Sequence, residues 1–121
     1  MADEVVTTTE EKQTWVKKVK FSIVSATDGT ANATTSLDYT GEVVRLVASP
    51  GTAGNQPTDA FDVVVNDEDG YDILAAQGAN LSNAAVTTIV ASLGCIANDR
   101  MSVSVTNMGD QKSADIIVYL R

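Results

Sequence analysis

Histidine is absent from this 121-residue chain, and cysteine occurs once, as Cys95. Without histidine the chain cannot build a Ser-His-Asp triad or a histidine metal site. A single cysteine cannot form an internal disulfide, so packing or assembly must stabilise the fold. Because Cys95 lies in the apolar segment "LGCIA" and has no histidine to activate its thiol, we expect a buried and inert side chain.

Basic and aromatic residues are also few. Eight Lys and Arg oppose sixteen Asp and Glu, which gives a formal net charge of −8, and aromatic residues make up 5% of the chain. A duplex nucleic-acid binder needs a basic face to displace counterions, so nucleic acid is not an expected partner. With so few aromatic residues, the core must consist mainly of Val, Ile, Leu and Ala, and the β-branched residues among them favour strands.

Long apolar runs and nucleotide-binding motifs are missing as well. No segment approaches the roughly 18 apolar residues of a membrane span, and the N-terminal "MADEVVTTTEEK" does not resemble a signal peptide. We therefore expect a soluble protein, made in the cytoplasm, with no membrane partner. No phosphate-cradling glycine loop and no alternation of strands and helices is visible, which disfavours nucleotide enzymes.

A pair of catalytic carboxylates is the remaining feature that could make this chain an enzyme. A chain of this length rarely holds the cleft that a pair of acidic residues needs for glycoside hydrolysis. We therefore predict a protein that is not an enzyme, with no catalytic residues, no cofactor and no metal ligands.

Four carboxylates surround Gly70 in "VVVNDEDGYDIL", residues 63–74. With Gly70 aligned to the glycine of an EF-hand loop, Asp67 and Asp69 match ligand positions. Val65 and Ala76, however, occupy two positions that need an oxygen ligand. The pattern therefore favours a solvated turn, with a bound cation as the alternative.

Charge pairing favours a three-residue hairpin loop over residues 68–70, with Gly70 in the left-handed conformation. A two-residue loop would instead place Asp67 opposite Asp72, two like charges. The three-residue register pairs Val65 with Ile73 and puts four side chains on one face of the hairpin: Val63, Val65, Tyr71 and Ile73.

The N-terminal region divides into two parts. Residues 1–13 are polar and acidic without periodicity, which predicts a flexible arm ahead of a single β domain over residues 14–121. The following "TWVKKVKFSIV" alternates as a strand does. Its predicted faces carry Trp15, Val19, Phe21 and Ile23, with Lys17 intruding, on one side, and Lys18, Lys20 and Ser22 on the other.

The rest of the chain reads as short strands separated by Gly, Pro, Asn and Asp. A strand over "LDYTGEVVRLVAS" is expected to bulge or bend at Gly41, and "PGTAGNQPTD" is a loop. Residues 82–93 fit a helix or a strand, and their β-branched content favours the strand. "RMSVSVTN" and "SADIIVYLR" predict a terminal hairpin. About seven such strands indicate an all-β, antiparallel sandwich or small barrel of jelly-roll or immunoglobulin-like type.

Several of these segments resemble small virion structural proteins encoded among the head genes of tailed bacteriophages: "GEVVRLVASPGTAGNQPTD", "VVNDEDGYDIL", "GANLSN" and "VSVTNMGDQKSADIIVYLR". The resemblance covers residues 35–121. It implies a capsid decoration, or cement, protein that binds the outside of the capsid and bridges subunits of the major capsid protein. It also implies a homo-oligomer, with a trimer favoured, on the virion exterior after synthesis in the host cytoplasm.

An arm that becomes ordered on contact would let such a protein reach across joints between capsid subunits. The candidate residues for contact with the capsid or another subunit are the arm's apolar anchors and the adjacent lysines: Val5, Val6, Trp15, Lys17, Lys18 and Lys20. For Trp15, an interface hot spot and an ordinary core position are both open. For the lysines, a solvated outer face and docking on an acidic protein surface are both open.

Two other functions stand as alternatives. One is a head-tail or tail-surface component of the virion. The other is a carbohydrate-binding β-sandwich, in which Tyr39, Tyr71 and Tyr119 would serve as platforms for sugar rings. The scarcity of aromatic residues and the missing export signal count against the carbohydrate reading.

Overall fold

The computed structural model describes residues 3–13 and 15–121, and over those residues it contains strands and no helix. The strands are β1 (Val5–Glu11), β2 (Lys17–Val24), β3 (Ala31–Thr34), β4 (Tyr39–Pro50), β5 (Asp62–Asn66), β6 (Thr87–Ile89), β7 (Cys95–Asp99), β8 (Ser102–Thr106) and β9 (Ser113–Leu120). No helix of these described ranges is long and apolar enough to cross a membrane.

The strands form two sheets whose neighbours all pair antiparallel. The large sheet has the order β1-β2-β9-β4-β6, with β7 also paired to β4, and the small sheet has the order β3-β8-β5. Buried side chains from both sheets form one hydrophobic core between them, including Phe21 and Val118 from the large sheet and Val65 and Val103 from the small sheet. The predicted all-β class is confirmed, and the architecture is a sandwich of two sheets.

Alternation along β2 follows the sequence pattern. Val19, Phe21 and Ile23 are buried, and the intervening Lys18 and Lys20 are half-buried on the opposite side. Period-2 side-chain geometry places every second residue in the core, so the local pattern is sufficient to predict this strand.

The N-terminal region differs from the predicted flexible arm. Val5–Glu11 forms β1, an edge strand of the large sheet that pairs with β2 through seven consecutive residue pairs. Val6 packs against the core. The prediction of an unstructured segment is therefore wrong for these residues. Their polar composition gave no sign of a strand, although one face of the strand is half-buried.

The predicted terminal hairpin is also wrong. β8 pairs with β3 and β5 in the small sheet, whereas β9 pairs with β2 and β4 in the large sheet. The connecting segment crosses between the sheets and is fixed there by Met108, whose N–H donates to the Gly29 carbonyl and whose carbonyl accepts from Thr58 N–H. Left-handed backbone at Asn107, Gly109 and Gln111 allows this path.

Two further predicted strands are present in the structure. Thr87–Ile89 forms β6, so the strand reading of residues 82–93 is confirmed for its centre. In β4, register shifts lie on both sides of Gly41, between Tyr39 and Thr40 and between Val43 and Arg45. Gly41 itself lies against the chain end, where an added Cβ would be 2.9 Å from the Arg121 carbonyl oxygen.

The acidic hairpin, residues 67–71, has the predicted three-residue loop. Asp67 N–H donates to the Tyr71 carbonyl and Ile73 N–H donates to the Val65 carbonyl, and Gly70 has a φ of 86°. The predicted face is wrong at one position: Val65 and Ile73 are buried, but Tyr71 is 73% exposed because it lies beyond the end of the small sheet.

Cys95 is exposed, so the prediction of a buried thiol is wrong. It opens β7, where alternation turns the next residue, Ile96, into the core. Leu93, on the other side of the cysteine in sequence, packs against the core. The core contacts of "LGCIA" are therefore made by the apolar neighbours of Cys95 and not by the cysteine itself.

Gly78 fastens the segment after the hairpin to the edge of β5. Its carbonyl accepts from Val63 N–H at 2.7 Å, and an added Cβ would overlap the Val63 carbonyl oxygen. We expect Gly78→Ala to lower the free energy of unfolding by about 1–3 kcal/mol, because backbone must move to relieve the overlap.

Urea unfolding of Gly78→Ala beside Ala79→Ser measures this effect. The control replaces the next residue, which is exposed, and is expected to stay within about 0.5 kcal/mol of the parent chain. Equal stability of the two variants would contradict the role given to Gly78.

Candidate functional site

One end of the sandwich collects several loops. We call it the Trp15 end; among the described residues it consists of 12, 13, 15, 16, 35–38, 67–71 and 99–100. Strand pairing places these segments together, since the end of β1 lies beside the start of β2, and the ends of β3 and β5 both lie opposite Ser102 of β8. Contacts between the loops close the arrangement, including the bond from Glu68 N–H to Asp99.

Trp15 is the most exposed large apolar residue at this end, with 85% of its surface accessible. It precedes β2 and lies outside the sheet, so the predicted inward face of that strand holds for Val19, Phe21 and Ile23 but not for Trp15. The core reading of Trp15 is therefore wrong. Because the indole ring is exposed in the monomer, its burial against a partner would contribute its full hydrophobic free energy to binding, as at interface hot spots.

Other exposed apolar side chains share the Trp15 end. Leu37, Val16 and Tyr71 are each exposed, on three different loops. Single exposed apolar residues are ordinary, whereas several at one end of a small domain are typical of an interaction surface.

Glu10 fastens β1 to the loop after β3. Its carboxylate accepts four hydrogen bonds: from Ser36 N–H at 3.1 Å, from the Ser36 hydroxyl at 2.6 Å, from Leu37 N–H at 3.2 Å and from the Tyr39 hydroxyl at 2.8 Å. Lys12 lies over the Tyr39 ring, with its Nζ 5.5 Å from the ring centre. These contacts join the edge of the large sheet to the small-sheet side of the Trp15 end.

The hydrogen bonds also set the charge state of this cluster. Burial alone would raise the pKa of Glu10, but the bonds from Ser36, Tyr39 and Leu37 outweigh it and lower the pKa below the ordinary value of 4.5. Burial, followed by the bond to Glu10 and its negative charge, raises the pKa of Tyr39. Glu10 is therefore ionised and Tyr39 neutral at physiological pH.

A pH dependence of stability follows. Because the pKa of Glu10 is lower in the folded chain than in the unfolded one, its stabilisation is complete above pH 4.5 and is lost as pH falls through the folded pKa. We expect Glu10→Gln to lower the free energy of unfolding by about 1–2 kcal/mol at pH 7 and by less at pH 3.

Unfolding of Glu10→Gln and Glu11→Gln at both pH values tests this expectation. Glu11 is the neighbouring exposed carboxylate, so its variant controls for the change in net charge. A loss that is the same at pH 3 and pH 7 would contradict the role of the ionised Glu10.

Asp67, Asp69 and Asp99 meet at the acidic hairpin, with one carboxylate oxygen of each within 4.8 Å of the others. Asp67 accepts hydrogen bonds from Asp69 N–H and Tyr71 N–H, both at 3.0 Å, and Asp99 accepts from Glu68 N–H. Through these bonds Asp67 and Asp99 stabilise the turn, in agreement with the prediction that this segment forms a turn.

The outer sheet face is the side of the large sheet turned away from the core. Strand register gives its composition in rows. One row is Glu11, Lys18, Tyr119 and Arg45, and the next is Thr9, Lys20, Ile117, Val47 and Thr88.

Three of the eight basic residues lie on this face: Lys18, Lys20 and Arg45. The Arg45 guanidinium lies 4.5 Å from the centre of the Tyr119 ring and donates to its hydroxyl at 3.3 Å. Lys20 Nζ lies 3.7 Å from an Asp115 carboxylate oxygen. Half-buried Val47 and Ile117 lie between the cations.

The six predicted interface residues thus fall on different parts of the fold. Trp15 and Lys17 lie at or beside the Trp15 end, and Lys18 and Lys20 lie on the outer sheet face. Val5 is exposed at the opposite end of β1, and Val6 packs against the core. Part of the Val6 side chain is therefore already engaged in core packing.

The three tyrosines do not share a surface. Tyr39 is buried, Tyr119 is half-buried beneath Arg45 on the outer sheet face, and Tyr71 stands exposed on the acidic hairpin. Tyr71 is the one of the three that is placed to stack on a sugar ring.

A cavity beside β5 contains two carboxylates. It has a volume of about 270 Å³ and is lined by Asp62, Val63, Val64, Asp72, Ala76 and Ala79. Asp72 accepts from three backbone N–H groups, those of Val65, Leu74 and Ala76, and Asp62 accepts from Asn80 N–H. Both carboxylates are engaged in holding the segment after the hairpin.

Sequence reasoning missed two residues of these surfaces. Glu10 carried no signal, because its partners lie 26–29 residues away in the chain. Arg45 could have been found from the alternation of "EVVRLVAS", which turns it away from Leu46.

No protein-family model matches this chain, and no curated protein matches it. One similar solved structure is the family 32 CBM, a carbohydrate-binding module, from C. perfringens NanJ in complex with galactose; it is 14% identical, with a TM-score of 0.40 over 98% of this chain and 93% of that chain. Another is the xylan-binding module CBM86 from Roseburia intestinalis, 13% identical, with a TM-score of 0.38 over 99% of this chain and 88% of that chain. Likeness at this level carries no conclusion about what this chain binds.

Proposed function

We propose that this protein is a non-enzymatic structural component of a tailed-bacteriophage virion. In this role it decorates the outside of the capsid and stabilises the shell by bridging subunits of the major capsid protein. It would be made in the host cytoplasm and act on the virion exterior. The resemblance of residues 35–121 to small phage virion proteins supplies the class of partner.

The exposure of Trp15 carries the proposal. A tryptophan with 85% of its surface in solvent contributes little to the folded monomer, and its burial by a partner would remove a large apolar area from water. Lys17 follows two residues later and lies half-buried beside the same end. An apolar anchor next to a cation suits a protein surface with an apolar pocket and an acidic rim.

A capsid lattice can compensate for a weak individual contact because it repeats that contact. One tryptophan and its neighbours give modest affinity per copy, but a capsid offers the same contact many times. If each copy touches two capsid subunits, the second contact forms at a high effective concentration and the shell is held by avidity.

The absence of an activity is part of the proposal. The carboxylates of the β5 cavity are occupied by backbone hydrogen bonds, which argues against their use as an acid and base. The net charge of −8 would favour solubility of the decorated particle.

Pelleting with capsids tests the proposal. The purified protein is mixed with purified capsids of its own phage, the particles are sedimented, and the pellet is imaged by cryo-electron microscopy. We expect ordered density at local symmetry axes of the shell. Protein left in the supernatant and bare shells would reject capsid decoration and direct the search to head-tail and tail surfaces.

A carbohydrate-binding function is the second candidate, and Tyr71 is the observation that favours it. Its side chain is exposed, and its backbone N–H donates to the Asp67 carboxylate. An aromatic ring can stack on a sugar ring while neighbouring carboxylates accept hydrogen bonds from the hydroxyl groups of the sugar. A glycan-array signal that Tyr71→Ala abolishes and Trp15→Ala leaves intact would support this candidate over capsid decoration.

A further inference from the structure

We infer that this chain associates with itself head to tail, with the acidic hairpin of one copy docked on the outer sheet face of a second copy. The acidic hairpin is residues 67–71, together with Asp99. The inference rests on the charge distribution within one chain and not on the identity of the capsid partner.

The acidic hairpin projects negative charge beyond the end of the small sheet. Glu68 and Asp69 are exposed in its three-residue loop, and oxygens of Asp67, Asp69 and Asp99 lie within 4.8 Å of one another. Like charges this close repel one another, and a cationic surface placed against them would relieve that repulsion.

The outer sheet face provides such a surface. On this face the three cations Lys18, Lys20 and Arg45 outnumber two carboxylates, Glu11 and Asp115, in a chain whose net charge is −8. Lys20 has one carboxylate partner, Asp115, at 3.7 Å, and Arg45 lies over Tyr119. Val47 and Ile117, between the cations, would be covered by a docked copy.

A second copy is the occupant because one chain cannot bring its own two surfaces together. The acidic hairpin extends from the small sheet, whereas the cations point away from that sheet on the far side of the large one. Two copies can pair one hairpin with one face. Such a contact is heterologous, so each added copy leaves one hairpin and one face open, and the assembly closes into a ring or extends as a chain.

Salt dependence of the unaltered chain provides the first test. At about 0.01 M salt the screening length is about 30 Å, so the net charges of two copies repel. At about 0.1 M salt it falls to about 10 Å and local complementarity dominates, while at about 1 M it falls to about 3 Å and screens the contact itself. We expect the average mass in sedimentation velocity to be highest near the middle concentration. Association that rises continuously with salt, or a monomer throughout, would overturn the inference.

Two variants identify the surfaces. The face variant carries Lys18→Gln and Lys20→Gln, and the hairpin variant carries Asp69→Lys. We expect each to weaken self-association about five- to tenfold, since each removes exposed charge pairs. A control with Asp3→Lys and Asp110→Lys changes exposed acidic residues outside both surfaces and is expected to leave association no weaker than in the parent.

Mixing the two variants tests the head-to-tail geometry. The intact face of the hairpin variant can bind the intact hairpin of the face variant, so we expect the mixture to associate more strongly than either variant alone. Circular dichroism checks that both variants are folded. If folded variants associate as the parent does, or if mixing restores nothing, the head-to-tail contact is wrong.

Discussion

Trp15→Ala is expected to weaken binding to the capsid at least about 30-fold, which corresponds to the loss of about 2 kcal/mol typical of an interface hot spot. The free energy of unfolding should change by no more than about 0.5 kcal/mol, because the indole is exposed and makes little contribution to the core. A binding loss without a stability loss is the signature of a residue that acts at an interface. Co-sedimentation with capsids over a concentration series, beside urea unfolding, measures both quantities.

Val90→Ala is the matched control for this variant. Val90 is also exposed and apolar, but it follows β6, at the opposite edge of the large sheet from β1. Its variant is expected to bind capsids as the parent does. Equal binding by Trp15→Ala and the parent chain would remove Trp15 from the interface, and equal losses in both variants would indicate a diffuse apolar contact.

Deletion of residues 1–13 is expected to lower the free energy of unfolding by about 3–5 kcal/mol, a large share of the 5–15 kcal/mol typical of a domain. The deletion removes β1, with its seven residue pairs to β2. It also removes the four hydrogen bonds accepted by Glu10 and leaves the hydroxyl of Tyr39 without that acceptor. Val19, Phe21 and Ile23 would then lie on an unprotected edge strand.

Deletion of residues 1–4 gives the control, because it leaves β1 whole. We expect this shorter deletion to change stability by less than about 0.5 kcal/mol. Urea unfolding followed by circular dichroism compares the two deletions. If removal of residues 1–13 leaves the midpoint unchanged, β1 is dispensable and the region acts as the arm that its composition predicts. If removal of residues 1–13 does lower stability, weaker capsid binding by the same variant cannot be assigned to the loss of a contact between the arm and the capsid.

Local patterns predicted many individual elements correctly. The alternation of β2, the strand at Thr87–Ile89 and the three-residue loop around Gly70 all follow from residues within a few positions of each other. The candidate interface is still a prediction, and the structure distributes its residues over different parts of the fold. Trp15 and the lysines are accessible, but Val6 contributes to core packing, and Glu10 was overlooked because its partners come from a distant loop.

Composition and period-2 alternation are local properties, so they are enough to predict the all-β class, the acidic surface and the exclusion of histidine chemistry. Which strands become neighbours depends instead on the tertiary fold. β8 and β9 are successive in the chain yet belong to different sheets, and β1 joins the large sheet although its sequence is polar. Partner choice depends on which faces must be buried together, and that is a property of the whole core. The same requirement left Cys95 and Trp15 in solvent and aligned three cations on one outer face.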